Sequence, residues 1–121
     1  MSLTIQRLHV GARLSDVSIY NHVAYLAGQV PDKTIDLGIR EQTAEVLATI
    51  DRLLAEAGSD KTRILSCQIF LRDIGDIAEM NAVWDTWVAA GHCPCRATVQ
   101  APMANPKWRV EMVMTAAVGT A

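Results

Sequence analysis

No segment restricts the possible architecture as much as residues 108–118, Trp-Arg-Val-Glu-Met-Val-Met-Thr-Ala-Ala-Val. In an extended chain, Val110, Met112, Met114, Ala116 and Val118 share one face, and Glu111, Val113, Thr115 and Ala117 share the other. A strand with one wet side alternates apolar with polar residues, whereas this one is largely dry on both sides. It must therefore sit inside a sheet that is covered twice. Glu111 is the odd member, because a carboxylate at an internal strand position among apolar neighbours is costly unless paired.

The rest of the chain supplies the sheet and one cover. Residues 5–10 and 17–30 are rich in Val, Ile, Leu and Tyr, and are interrupted at Gly11 and at Asn21-His22. With Gly28-Gln29-Val30-Pro31 closing the segment, they predict three short strands. Across residues 36–57, Ile39, Val46, Leu47, Ile50, Leu53, Leu54 and Ala57 recur at helical spacing, with Gly58 as the C-terminal stop. Residues 62–72 predict a strand with Leu65, Cys67, Ile69 and Leu71 on one face. A second helix is expected over 77–90, using Ile77, Met80, Val83, Trp84, Trp87 and Val88 and ending at Gly91. Strands at 96–101 and 108–118 follow, joined through Pro102, Asn105 and Pro106.

The expected order is βββ-α-β-α-ββ, an α+β arrangement with a mainly antiparallel sheet and two helices on one face. At 121 residues, with no linker or repeat, residues 1–121 are expected to form a single domain. Two helices cover one sheet face only. The second dry face predicts burial against other subunits, with Glu111 near that seam.

Composition narrows the function. Eleven Lys and Arg against thirteen Asp and Glu give a net charge of −2, and the basic residues are scattered. A nucleic-acid partner is not expected, since such affinity comes largely from counterion release at a basic surface. Three Trp, two Tyr and one Phe are too few and dispersed for a base-stacking platform. No apolar run approaches the roughly 18 residues that span a bilayer, so no membrane partner is expected. The opening Met-Ser-Leu-Thr-Ile-Gln-Arg has no secretory character, and a soluble cytoplasmic protein with reduced Cys67, Cys93 and Cys95 is expected.

Three places can carry chemistry. His92-Cys93-Pro94-Cys95 would need distant partners such as His9, His22 or Cys67 to hold a metal, and otherwise reads as a helix-to-strand turn. A nucleophilic role for Cys95 would draw on the neighbouring Arg96 to lower its pKa. Arg96 opens a strand and has the planar fork of donors that suits a carboxylate, or else it is a surface arginine at a strand end. Glu111 is a candidate base, or else a partner for Arg109, Lys107 or an arginine across an interface. Arg96 and Glu111 together make a plausible anion clamp and base. Whether they face the same way depends on the register of the last two strands.

Cys95-Arg96-Ala97-Thr98-Val99-Gln100 followed by Trp108-Arg109-Val110-Glu111 resembles the signature of the Rid family of reactive-intermediate deaminases, also called YjgF-like. That signature has an arginine opening one strand and a Val/Ile-Glu pair in the next, the glutamate fifteen positions on, as Glu111 is from Arg96. Ala27-Gly28-Gln29-Val30-Pro31 is similar to the family's Ser-Gly-Gln-Ile/Val-Pro, and Met80-Asn81 to its Val-Asn. The resemblance covers essentially the whole chain. It implies a chorismate-mutase-like fold, a homotrimer, and pockets at the subunit interfaces where 2-imino acids, formed from enamines such as 2-aminoacrylate, are hydrolysed to 2-keto acids and ammonia.

On that resemblance Arg96 and Glu111 would be catalytic, and Gly28, Asn81, Arg96 and Thr98 would bind the small carboxylate substrate, with no metal and no cofactor. Two departures mark a divergent branch. Gly11-Ala12-Arg13-Leu14-Ser15-Asp16 replaces the family's Gly-Pro-Tyr segment, and Ala27 replaces its serine. The alternative function is a non-catalytic sensor that binds a keto acid or similar carboxylate at the same clefts. Relatives described as translation inhibitors or endoribonucleases find little support in a chain without a basic patch.

Overall fold

The segment that is dry on both sides lies inside a six-stranded sheet. The computed structural model describes residues 4–119; residues 1–3, part of the stretch read for a leader, and residues 120–121 lie outside the described residues. The elements are β1 (Gln6–Val10), β2 (Ser15–Tyr20), β3 (Val23–Leu26), α1 (Ile39–Glu56), β4 (Ile64–Leu71), α2 (Ile77–Trp87), β5 (Cys95–Gln100) and β6 (Val110–Ala117). The sheet order is β1-β2-β3-β6-β4-β5, so β6 is flanked by β3 and β4. All neighbours are antiparallel except β4 and β5, which are parallel. A parallel pair needs a long crossover, and α2 provides it. The architecture is the expected α+β, with two helices on one sheet face.

That face holds the core. Val110, Met112, Met114 and Ala116 of β6 are no more than 1% exposed, and they pack with Val17, Leu26, Cys67, Ile69, Leu71 and the inner stripes of both helices. On the opposite face Glu111, Val113, Thr115 and Ala117 are half-buried. Tyr25 and Val99 are about half exposed there, at 51% and 45%.

Local signals acted largely as expected. Asn21 and His22 take φ of 51° and 66° and close the β2–β3 hairpin between Tyr20 and Val23. Gly58, at φ +82°, ends α1: its N–H donates to Ala55 O at 3.1 Å, and the Ser59 N–H donates to Leu54 O at 2.8 Å. That is the paired bonding of a Schellman motif, which satisfies carbonyls that the helix end would leave open.

Three expectations need correction. α1 starts at Ile39 rather than Asp36, because residues 32–37 form a separate loop. α2 ends at Trp87, not Ala90: Val88 is already extended (φ −61°, ψ 139°), and Gly91 (φ +80°) belongs to the turn that follows. In β4 the pairing jumps from Ile64↔Ala116 to Ser66↔Thr115, so Leu65 is an extra, bulged residue that is 48% exposed. Ile64, not Leu65, joins Cys67, Ile69 and Leu71 in the core.

Two side chains of α1 secure the loop before it. The buried Gln42 shares its Nε2 hydrogens among Ile35 O (3.2 Å), Leu37 O (3.3 Å) and Lys107 O (3.0 Å), while its Oε1 accepts from the Arg109 N–H at 2.8 Å. The Glu45 carboxylate accepts from the N–H groups of Asp32 (3.0 Å), Lys33 (3.0 Å) and Thr34 (2.9 Å) and from the Thr34 hydroxyl (2.6 Å). Successive N–H groups aimed at one carboxylate form an anion-binding nest.

Candidate active site

Arg96 is the second residue of β5, the edge strand beside β4. Its register partner is Cys67, whose side chain is buried in the core, so Arg96 projects on the helix side of the sheet. There α2 receives it. Its Nη1 donates to Asn81 Oδ1 at 2.8 Å, and its guanidinium carbon lies 5.0 Å from the centre of the Trp84 ring. A guanidinium over an indole face is held there by cation–π attraction, and only one of its N–H groups is committed to Asn81. Asn81 and Trp84 therefore orient the fork and leave donors for a carboxylate.

Thr98, two residues on, pairs with Ile69 and shares this side. Its hydroxyl is buried and has no hydrogen-bond partner among the described residues. The Thr43 hydroxyl in α1 is buried in the same way, so the feature does not by itself single out a ligand contact. Beneath the fork, burial pushes the Cys67 thiol up to about 12 although the charge of Arg96 pulls the other way. At neutral pH Cys67 is a thiol, and no thiolate nucleophile stands here. Cys93 and Cys95 are exposed.

Glu111 is on the other face. It pairs with Phe70, and its neighbours Val110 and Met112 are the ones that enter the core. The carboxylate is half-buried and forms no hydrogen bond or ion pair among the described residues; Lys107, one expected partner, pairs with Asp36 at 2.9 Å. Gly28 covers it. Gln29 and Met112 exchange backbone hydrogen bonds of 2.8 and 3.1 Å, which carries the chain across β6 beside Glu111. A Cβ on Gly28 would fall 1.9 Å from Glu111 Oε2. A glycine in a strand-like segment marks such a close approach, and here the reason is the carboxylate.

The expected site residues thus fall into two groups. Arg96, Asn81 and Thr98 lie together on the helix side, and Gly28 and Glu111 lie together on the open side. The register that the sequence left undecided puts Arg96 and Glu111 on opposite faces of one sheet. Sequence reasoning placed Trp84 only in the helix stripe and missed it as a platform for Arg96. It lies three residues after Asn81, on the same helical face, and that spacing was the available signal. The open face also carries a shallow concavity of about 350 Å³, lined by Ser66, Gln68, Cys95, Ala97, Val113 and Thr115 together with Cys67 and Arg96.

A helix-backed sheet with this arginine-to-glutamate spacing defines a class of small α+β proteins, and comparison with known proteins agrees. The family model described as Endoribonuclease L-PSP matches residues 4–118. A RutC family protein of Haemophilus influenzae is 54% identical over 114 residues, covering 94% of this chain and 98% of that one. The RutC family protein YoaB of Escherichia coli is 50% identical, covering 96% of this chain and all of the relative. Among solved structures, a YjgF family member from Neisseria meningitidis superposes with a TM-score of 0.94 at 49% identity, covering 98% of both chains. The chain belongs to this family, the Rid/YjgF family expected from the residues above.

Proposed function

We propose that this protein is a hydrolytic deaminase of 2-imino acids, acting at pockets that two copies of the chain complete in a homotrimer. The observation that carries the reading is the pair of half-sites. An arginine fork oriented by Asn81 and Trp84, and an unpaired half-buried carboxylate under a glycine, each supply one part of an imine hydrolase. They lie on opposite faces of the same sheet, so one copy cannot present both to one small molecule. Apolar groups on both faces of β6 support the assembly that would bring them together.

The chemistry is modest. An imine carbon is electrophilic, and water can add to it without a covalent intermediate on the protein. Arg96 holds the substrate carboxylate by two parallel hydrogen bonds and fixes the carbon in place. Glu111 of a neighbouring copy accepts a proton from the attacking water, and the C–O bond forms as the C=N electron pair moves to nitrogen. The carboxyl returns that proton to nitrogen to give the carbinolamine, then takes the hydroxyl proton and passes it to the amino nitrogen; the C–N bond breaks with its electron pair on nitrogen, and ammonia leaves as the C=O bond forms. One imino acid and one water give one keto acid and one ammonia. Gly28 keeps the approach to Glu111 open, and Thr98 lies behind Arg96 on the same strand face.

The test uses imino acids generated in situ by an amino-acid oxidase, with ammonia release followed. The wild-type protein should accelerate release, and Arg96→Ala should lose that acceleration while remaining folded. Glu111→Gln should still bind the keto acid product, while turnover falls by about 10²-fold or more, as loss of a general base does. Keto acid binding with no acceleration by the wild-type protein would favour the sensor reading. A folded Arg96→Ala as fast as the parent would place the chemistry elsewhere.

A further inference from the structure

Apart from both half-sites, Ile35, Asp36, Leu37, Arg72, Lys107 and Arg109 line a concavity of about 190 Å³ at the end of the sheet where β4 finishes and β6 begins. Three cations against one carboxylate give this spot a local surplus of positive charge in a chain whose net charge is −2. Two of the cations are already held. Arg72 donates from Nη1 to the Pro106 carbonyl, and Lys107 pairs with Asp36 at 2.9 Å. The guanidinium of Arg109 is half-buried and has no partner among the described residues. The walls are set in advance by the buried Gln42, which ties the Ile35 and Leu37 carbonyls to the backbone of Lys107 and Arg109. The Arg72 N–H completes the frame by donating to Arg109 O at 3.0 Å.

We propose that this concavity is a second anion site, which takes a phosphate group. Phosphate and its monoesters carry between one and two negative charges at neutral pH, which a surplus of two cations can balance. Its oxygens suit the guanidinium fork that Arg109 leaves unused. The walls come from a loop and strand ends locked by one buried amide, so little ordering cost opposes binding. The volume lies below the ~300–1,000 Å³ of ordinary small-molecule pockets, which limits the occupant to free phosphate or a small phosphate monoester.

Calorimetry on the full-length protein at 0.15 M ionic strength, with inorganic phosphate against chloride, tests this directly. Surface charges act only over about 8 Å under those conditions, so general attraction to scattered cations does not saturate. One saturable phosphate site per chain is expected in the Arg96→Gln background, which removes the other anion fork. Arg109→Gln should weaken that binding at least tenfold, and Arg109→Lys should fall between. Amide NMR shifts on titration should centre on Leu37, Arg72 and Arg109, a readout that needs no variant at that site. Glycerol phosphate distinguishes the sources: tighter binding than inorganic phosphate assigns the site to a monoester, and equal or weaker binding assigns it to the free ion. Absence of saturable binding, survival of full affinity in folded Arg109→Gln, or loss of binding in Arg96→Gln would each overturn the assignment.

Discussion

Arg96 shows how little of a residue's role follows from its type. The same side chain on a bare edge strand would be a solvated surface group. Here Asn81 and the Trp84 ring hold it in one pose, with its remaining donors unspent. Arg96→Lys should therefore recover little activity, because a point charge neither stacks on indole in the same way nor grips a carboxylate with two bonds. The expected signature is a rise in KM for imino acids, measured by ammonia release. Gly28 makes the complementary case on the other face. A methyl group there would occupy the position of Glu111 Oε2, and the carboxylate, being the end of a flexible side chain, would swing away. Gly28→Ala should keep the fold, with a melting temperature near that of the parent. Its kcat should fall by about 10²-fold while KM changes little, since the proposed general base would be displaced and the proposed Arg96 clamp left untouched.

At the scale of elements, the loop between β3 and α1 depends on Glu45. Burial of its carboxyl pushes its pKa up, but the Thr34 hydroxyl and the N–H groups of Lys33, Thr34 and Asp32 outweigh that and bring it down to about 2. A carboxylate depressed in the folded state stabilises the protein fully above its unfolded value of 4.5, and that contribution is lost as pH falls toward 2. Glu45→Gln should cost about 2 kcal/mol at pH 7, by analogy with hydrogen bonds to charged groups. Denaturant melts at pH 7 and pH 3 should show the gap between parent and variant narrowing in acid.

Most elements could be read from periodicity because their apolar stripes are long and their turns carry Gly or Asn. The failures share a physical cause. The bulge at Leu65 keeps strand-forming residues on both sides and is visible only in the pairing with β6. Val88, Ala89 and Ala90 carry no stop signal, and α2 ends where Trp87 is already anchored by its Nε1 donating to Asp51 Oδ2 at 2.9 Å. Likewise, the sequence identified Arg96 and Glu111 by spacing. Their separation onto two faces rests on pairings of β4 with β5 and β6 that no local pattern encodes.

For the whole molecule, that separation makes assembly a requirement of the proposed chemistry rather than an addition to it. Light scattering should give about three times the 13.2 kDa chain mass, and a protein monomeric at micromolar concentration would have no complete site. Subunit mixing tests the point most directly. Arg96→Ala and Glu111→Gln, each inactive alone, are unfolded together in equal amounts, refolded and assayed for ammonia release from an imino acid. If every site takes its arginine from one copy and its glutamate from the next, random assembly in a ring restores about a quarter of parental activity. If both groups act from the same copy, every site in the mixture carries one defect and activity stays at the level of the separate variants, which would contradict the shared site.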